Sequence, residues 1–242
     1  MSDWNEFLIE VRRKQEEIKC SRSGCWYRGA SQISHGLLPK LMWKNKKPDA
    51  EENIFRGYLR TRMADPSRNS WFTLIDMQHY GTATRLLDWT DCFGVALFFA
   101  LNFGTEPRKP VIWLLNPFSL ACRARGTNDK SIGDFHIDPD MDYYRRFVKT
   151  KDWPYKFAMP FYSPTPNERI HAQRGFFTVH GTSSKSIHVY AAHHIRSAEV
   201  PISLSKHVTD FLLLAGIDHG SMFPDHEGWL NKIELEYFYR DG

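Results

Sequence analysis

The sequence predicts a single α+β domain. Segments with a helical spacing of apolar residues alternate with short apolar runs of strand length, and 242 residues with 42% hydrophobic side chains suffice for one substantial core. We find no internal repeat, low-complexity tract or linker in the chain, so nothing divides it into separate units. The formal net charge of +4 is compatible with an anionic ligand or nucleic acid but requires neither.

Composition also indicates a reducing, aqueous compartment. The cysteines lack the paired spacing of zinc ligands, and we expect free thiols at Cys20, Cys25, Cys92 and Cys122. The amino-terminal segment is charged and amphipathic, unlike a signal peptide, and the longest apolar run is too short to cross a bilayer. We therefore expect a cytoplasmic protein without a membrane partner.

The first third of the chain is predicted to be mainly helical. Apolar side chains recur at helical spacing in Asp3 to Lys19, Ala50 to Ala64 and Ser70 to Tyr80. Gly81 is placed to end the third of these helices. The aromatic run CWYRGAS, which begins at Cys25, predicts a strand between the first two.

The most distinctive stretch is Gln78 to Asn102, read as QHYGTATRLLDWTDCFGVALFFALN. Val95 to Leu101 has no polar face, which predicts a helix buried on all sides, with Thr90 or Asp91 as its cap. The residues before it are predicted to form a loop of hydrogen-bonding side chains. That loop lies next to a helix amino terminus, whose partial positive charge favours anions.

The second half of the chain is predicted to mix strands, helices and a long loop. Strands are predicted at Val111 to Asn116, Phe176 to Val179, Ile187 to Ala191 and Ala198 to Ile202. Helices are predicted after the caps Asp138, Ser203 or Ser205, and Asp225. The proline-rich segment Lys149 to Arg169 cannot be regular, and its aromatic residues predict a loop folded over the body or over a cleft.

Three segments place polar groups among apolar ones, and we expect them to converge on one cleft. They are Trp26 to Gly29, Gln78 to Thr90, and Glu168 to Val179. Arg28 stands between aromatic residues and a glycine, a position suited to bidentate binding of an anionic group. Gly29 would permit close backbone approach.

Simpler explanations exist for the charged residues. Arg28 is also explained as an exposed arginine on a strand edge, and Arg85 and Asp88 as a salt bridge that satisfies both. The eleven histidines have no carboxylate or cysteine at metal-ligand spacing, so we expect no metal site. Neither a Gly-rich phosphate loop nor a nucleophile elbow is present in the sequence.

The three segments carry a resemblance to the FRG domain family, named for its Phe/Tyr-Arg-Gly motif, here Tyr27-Arg28-Gly29. The resemblance includes QHYGTATRLLDWT, the apolar helix after it, NERIHAQRGFFTV and GIDHGSMFPDHEG, from about Trp26 to Lys232. It implies an N-terminal helix and lead-in at 1–25 and one FRG domain at 26–242. Since the family occurs widely in bacteria and phage, the resemblance also implies a toxin or phage-defence effector.

A second resemblance, to ADP-ribosyltransferases, implies a fold and a chemistry. The order of motifs is similar: an arginine or histidine before glycine on a first strand, a Thr/Ser motif leading into an alanine-containing helix, and a late segment before a strand. The resemblance implies a mixed or antiparallel split sheet with surrounding helices, and NAD as a substrate. The acceptor would be a protein or a nucleic acid, and the oligomeric state stays open.

The resemblance to the transferases also implies roles for individual residues. The NAD-binding residues would be Arg28, Gly29, Tyr80, Thr84, Trp89 and Arg169. The catalytic residues would be Asp88, Arg85 and Gln173, with Asp88 or Glu168 stabilising the oxocarbenium-like centre. In the best alignment Arg169, not Glu168, takes the place of the transferases' glutamate. If this segment is extended, alternation turns Arg169 and Gln173 into the cleft and Glu168 away from it.

The expected function is that of an ADP-ribosyltransferase or NAD glycohydrolase. A non-catalytic nucleic-acid or nucleotide-sensing module is the alternative, with Arg28, Arg85 and Arg169 as phosphate contacts and aromatic rings as stacking platforms. A metal-dependent nuclease using Asp88 and Asp91 is a third possibility.

Overall fold

The computed structural model describes residues 3–21, 24–32, 36–44, 49–61, 69–101, 109–163 and 167–238. Ala64 and Asn102, at which two of the predicted segments end, lie outside these ranges. The described residues form one six-stranded sheet with helices around it, and the prediction of an α+β fold is confirmed.

The sheet is antiparallel at every strand pair. Its order is β4-β5-β2-β1-β3-β6. The strands are β1 (Trp26–Ala30), β2 (Leu86–Thr90), β3 (Val111–Leu115), β4 (Met159–Phe161), β5 (Gly175–Val179) and β6 (Ile195–Glu199).

The helices are α1 (Asp3–Glu17), α2 (Lys40–Lys44), α3 (Ala50–Leu59), α4 (Ser70–His79), α5 (Phe93–Leu101), α6 (Pro117–Arg125), α7 (Glu168–Ala172), α8 (Ile187–Tyr190), α9 (Ser205–Leu214), α10 (His219–Met222) and α11 (His226–Phe238). Two 3₁₀ turns, Pro139–Met141 and Ile202–Leu204, and a π-helical segment, Tyr143–Lys149, complete the regular structure of the described residues. Asp225 caps α11 as predicted, because its Oδ1 accepts a hydrogen bond from Gly228 N at 2.9 Å.

The two central strands barely pair with each other. β1 pairs with β3 along five residues and β2 pairs with β5 along five, but β1 and β2 are joined only at Tyr27 and Thr90. The transferase resemblance implies a split sheet. The structure has one continuous sheet, in which β1 and β2 separate beyond the Tyr27–Thr90 pair. Arg28, Gly29 and Asp88 stand at this opening.

Helices cover the opening from one face of the sheet. The buried residues of α5 pack with Tyr27, Ile112 and Leu114 in one core cluster, and those of α4 pack with Leu86 and Phe177 in another. A third cluster, on the opposite face, contains side chains from β1, β2 and β3. Since α5 and α4 lie over neighbouring strands, the space between them leads directly to the opening.

Some predicted elements are wrong. The segment Leu86–Thr90 is a central strand and not part of a loop, and Ile187–Tyr190 is a short helix and not a strand. Within the proline-rich segment, Met159–Phe161 forms the edge strand β4, with Phe161 fully buried. All four cysteines are free. Among the described residues, no helix has both the length and the apolar character needed to cross a membrane.

Candidate functional site

A cavity of about 1040 Å³ lies where β1 and β2 separate. Its walls come from both faces of the sheet. Gln78, Val95 and Phe99 belong to α4 and α5, over one face, whereas Ser186 and His188 belong to α8 and its N-cap, over the other. A cavity that passes between two strands can accept a ligand with two halves, one on each side of the sheet.

Arg28 and Asp88 face each other across the opening. The Nη1 of Arg28 donates a hydrogen bond to the backbone oxygen of Asp88 at 2.8 Å and lies 3.4 Å from its Oδ2. The side chains are 27% and 51% exposed, so a ligand can reach both. Arg28 thus adds a hydrogen bond between β1 and β2 beyond the one position at which they pair.

Gln78 fixes the orientation of the Asp88 carboxylate. Its Nε2 donates to Asp88 Oδ2 at 2.9 Å, and its Oε1 accepts a hydrogen bond from Thr84 Oγ1. The Thr84 oxygen in turn accepts the backbone N–H of Leu86 at 3.1 Å. This chain holds the carboxylate from the α4 side, while Asp88 Oδ1 accepts no hydrogen bond from a described residue.

The glycine of the Tyr-Arg-Gly motif packs directly against α5. A Cβ added at Gly29 would lie 1.9 Å from the backbone oxygen of Ala96 and 2.6 Å from the nitrogen of Ala100. Gly29 also lines the cavity. The close backbone approach expected at this position is therefore made by a helix of the protein itself.

The third segment reaches the cavity as a helix. Arg169 and Gln173 both line it, whereas Glu168 is exposed and is not among its lining residues. The expected extended conformation is wrong, because Glu168–Ala172 forms α7 with Gln173 as its C-cap. Residues four apart share a helix face, so Arg169 and Gln173 still point the same way.

The remaining predicted site residues are divided between the cavity and other environments. Trp89 lines the cavity and is buried, with its Nε1 donating to Thr178 Oγ1 at 3.0 Å. Thr84 is buried and is not among the lining residues; it acts on the site through Gln78. Tyr80 is 55% exposed and also lies outside the lining, next to His79.

Arg85 is held away from Asp88. It forms a two-pronged ion pair with Glu51 and donates to the backbone oxygen of Gly181 at 2.9 Å. Tyr143 donates to the same Glu51 carboxylate. Burial opposes the charge of Arg85, but the bonded Glu51 outweighs burial and raises the pKa of the guanidinium. The sequence-based pairing of Arg85 with Asp88 is thus wrong, since Arg85 anchors α3 to the sheet.

Two histidines near the opening have a lowered pKa. Burial, and then the charge of Arg169, lower the pKa of His79, which lines the cavity. Burial, followed by Arg85 and Arg28, lowers the pKa of His180 to about 3. Neither ring nitrogen of His180 has a hydrogen-bond partner among the described residues. The positive charge in this region therefore resides on arginine and lysine.

Sequence reasoning missed several cavity residues. Gln78 belongs to the polar segment before α5, but the sequence pattern assigns it no role, and the segments that contain Lys40, Trp43, Ser186 and His188 carry no motif. A tryptophan beside lysines in KLMWK, in α2, is a sequence signal that could have singled out Trp43.

Asp91, the second carboxylate of the possible nuclease, is already paired. Both of its oxygens accept hydrogen bonds from Arg174, at 2.6 and 3.0 Å. Within the described ranges, no three side chains of His, Cys, Asp or Glu are grouped as the ligands of a metal ion would be. These contacts give no support to metal-dependent cleavage at Asp88.

Comparison with known proteins identifies part of this architecture. Residues 23–109 match the family model of the FRG domain. The chain therefore contains an FRG domain at these residues. The match covers β1, β2 and α5, and so includes Arg28, Gly29 and Asp88. No curated protein and no solved structure matches the chain.

The FRG match accounts for one side of the cavity. The Tyr-Arg-Gly motif supplies the cation and the strand that packs on α5, and Asp88 supplies the carboxylate across the opening. Arg169 and Gln173 come from outside the matched residues. The FRG region thus forms the opening in the sheet, and later residues complete the cavity around it.

Proposed function

We propose that the cavity of this protein binds NAD or a related dinucleotide and cleaves the nicotinamide–ribose bond, as an ADP-ribosyltransferase or NAD glycohydrolase. The observation that carries the proposal is the placement of Asp88. Its half-exposed carboxylate faces a large cavity and is oriented there by Arg28 and Gln78.

A single well-placed carboxylate suits this reaction. Nicotinamide leaves NAD as a neutral molecule, and the positive charge that develops on the ribose is stabilised by a negative group near the anomeric carbon. Asp88 Oδ2 is occupied by Arg28 and Gln78, so Oδ1 is the oxygen that can approach the ribose. Fixing the carboxylate before the substrate binds removes the cost of orienting it during the reaction.

Arg28 supplies a cation for the pyrophosphate. Only its Nη1 bonds to a described residue, so Nε and Nη2 keep their donors for phosphate oxygens. A phosphate held by Nε and Nη2 would be separated from the Asp88 carboxylate by the guanidinium. The guanidinium therefore screens the carboxylate from the phosphates, which would otherwise repel it.

The size of the cavity fits a two-part ligand. About 1040 Å³ is slightly above the roughly 300–1,000 Å³ that is usual for ligand pockets. The lining residues on both faces of the sheet allow one nucleotide half to lie beside Gln78 and Phe99 and the other beside Ser186 and His188.

In the segment Glu168 to Val179, the residues of α7 favour a role in ligand binding over catalysis by a glutamate. Gln173 Nε2 donates to the backbone oxygen of Met222 at 3.0 Å, which leaves its Oε1 for a ribose hydroxyl. Arg169 lies 4.4 Å from the Phe223 ring and lines the cavity. An arginine repels an oxocarbenium ion and attracts phosphate, so Asp88 is the proposed stabilising carboxylate. A toxin or phage-defence role is part of the proposal and rests on the FRG resemblance.

The test is the release of nicotinamide from NAD labelled in that ring. We expect the parent to release it and Asp88→Asn to lose at least about a hundredfold in rate, with an unchanged urea midpoint. Glu168→Gln is the matched control, because it neutralises an exposed carboxylate outside the cavity lining, and should retain the parental rate. Gln173→Ala should raise KM more than it lowers kcat.

Several results would reject the proposal. An Asp88→Asn variant with the parental rate would exclude Asp88 as the stabilising carboxylate. Loss of activity in Glu168→Gln alone would assign that role to Glu168. Saturable NAD binding without nicotinamide release would instead establish the non-catalytic nucleotide-binding module.

A further inference from the structure

We define a basic and aromatic rim beside the cavity as Lys40, Trp43, Lys44 and Tyr80. Lys40 and Trp43 belong to α2 and line the cavity itself, whereas Lys44 and Tyr80 do not line it but directly follow lining residues in the chain. Trp43 is 56% exposed, and Lys44 Nζ lies 5.1 Å from the centre of its ring system. Exposed apolar side chains that border a groove are candidates to contact a ligand or a partner.

Tyr80, the second aromatic residue of the rim, adjoins a loop that is hydrogen-bonded to α2. Lys40 Nζ donates to the backbone oxygen of Gly81, and Leu41 N donates to Thr84 O at 3.1 Å, so α2 is fastened to the loop that follows α4. Tyr80, the residue before Gly81, is 55% exposed. Two solvent-exposed rings therefore belong to one bonded unit at the cavity mouth.

The positive charge of the rim comes from Lys40 and Lys44. Neither Lys40 nor Lys44 forms an ion pair with any residue that the structure describes. By contrast Trp229, on α11, has a lysine over its ring in the same way, at 5.2 Å, but that lysine, Lys232, is paired with Asp218 at 2.8 Å. The rim is thus positive as well as aromatic, whereas the tryptophan on α11 lies beside a neutralised lysine.

We propose that this rim binds single-stranded nucleic acid, with a base stacked on Trp43 and the adjoining phosphates on Lys40 and Lys44. Unpaired bases expose flat faces that stack on aromatic side chains whatever their sequence, and lysines follow the backbone. An acidic peptide would use the lysines and leave the exposed rings without a partner, so nucleic acid accounts for both features.

The rim also places the bound strand near the reacting groups of the cavity. Gln78, which orients Asp88, is separated from Tyr80 only by His79, and His79 lines the cavity. A nucleotide next to the one stacked on Trp43 can therefore enter the mouth on the Asp88 side. Where the cavity cleaves NAD as proposed above, this nucleotide is the acceptor; binding to the rim does not depend on that reaction.

The experiment measures fluorescence anisotropy of a fluorescein-labelled oligothymidylate with the full chain, in the absence of NAD. We expect Trp43→Ala to weaken binding about tenfold or more and Trp43→Phe to restore most of it. Lys44→Ala should reduce the dependence of binding on salt concentration. Trp229→Ala is the matched control, since it removes an equally exposed tryptophan with a lysine over its ring, and should bind as the parent does.

Three outcomes would overturn the inference. The first is an equal loss of oligonucleotide affinity in Trp43→Ala and Trp229→Ala. The second is equal binding of duplex and single-stranded DNA, with no effect of Trp43→Ala on either. The third is Trp43-dependent binding of polyglutamate that is as tight as binding of the oligonucleotide. Because the assay contains no NAD, its result is independent of the proposed NAD reaction. If NAD is not cleaved but binding depends on Trp43, the rim is confirmed and only the proposed reaction fails.

Discussion

Replacing Gly29 by alanine tests how the central motif works. The new Cβ would lie 1.9 Å from Ala96 O and 2.6 Å from Ala100 N, both backbone atoms of α5. Because a helix backbone cannot rotate away as a side chain can, α5 would have to retreat by about 1.5 Å to reach ordinary contact, opening the core cluster beneath it. Overpacking usually costs about 1–3 kcal/mol. We expect the upper end of that range or more.

Urea unfolding followed by tryptophan fluorescence measures this effect. With an m-value of about 3 kcal/mol/M, a loss of about 3 kcal/mol lowers the midpoint by about 1 M. Gly57→Ala is the control, because a Cβ at this position in α3 meets nothing within 4 Å and the substitution should stabilise the protein by about 0.5–1 kcal/mol. A Gly29→Ala variant as stable as the parent would refute the packing argument and leave approach of a ligand as the reason for the glycine.

Two further substitutions test the buried polar groups. Arg85→Met should lower the free energy of unfolding in urea by about 3–5 kcal/mol, because it leaves Glu51 charged and part-buried. Arg174→Met, which breaks an exposed ion pair, should lower it by less than about 1 kcal/mol. Equal losses in the two variants would contradict the anchoring role of Arg85. Since the pKa of His180 is lowered to about 3 in the folded protein, protonation near 6.5 in the unfolded chain should destabilise the parent by about 2 kcal/mol between pH 7 and pH 5. His180→Gln should lack this pH-dependent loss, and identical pH profiles would show that His180 does not cause it.

The sequence by itself determined features that depend on local pattern. The apolar run Val95–Leu101 predicted a buried helix because it has no polar face, and six of the nine residues of α5 are buried while the other three are partly buried. Gly81 ends α4 with a φ of +70°, and Asp225 caps α11. The Tyr27-Arg28-Gly29 motif indicated the FRG resemblance that the family match confirms. Membership of residues 110–242 in the same domain stays a prediction.

Only the tertiary structure decided which charges meet. Asp88 is close to Arg85 in sequence, yet the partner of Arg85 is Glu51, 34 residues away, and the partner of Asp88 is Arg28, 60 residues away. Pairing of this kind depends on strand order and on the single β1–β2 contact, which no local pattern specifies. Arg169 and Gln173 both line the cavity because residues four apart lie on the same face of α7. In an extended strand, residues four apart would also have pointed to the same side. The site therefore depends on where two strands part, and that position is fixed by packing of the whole sheet.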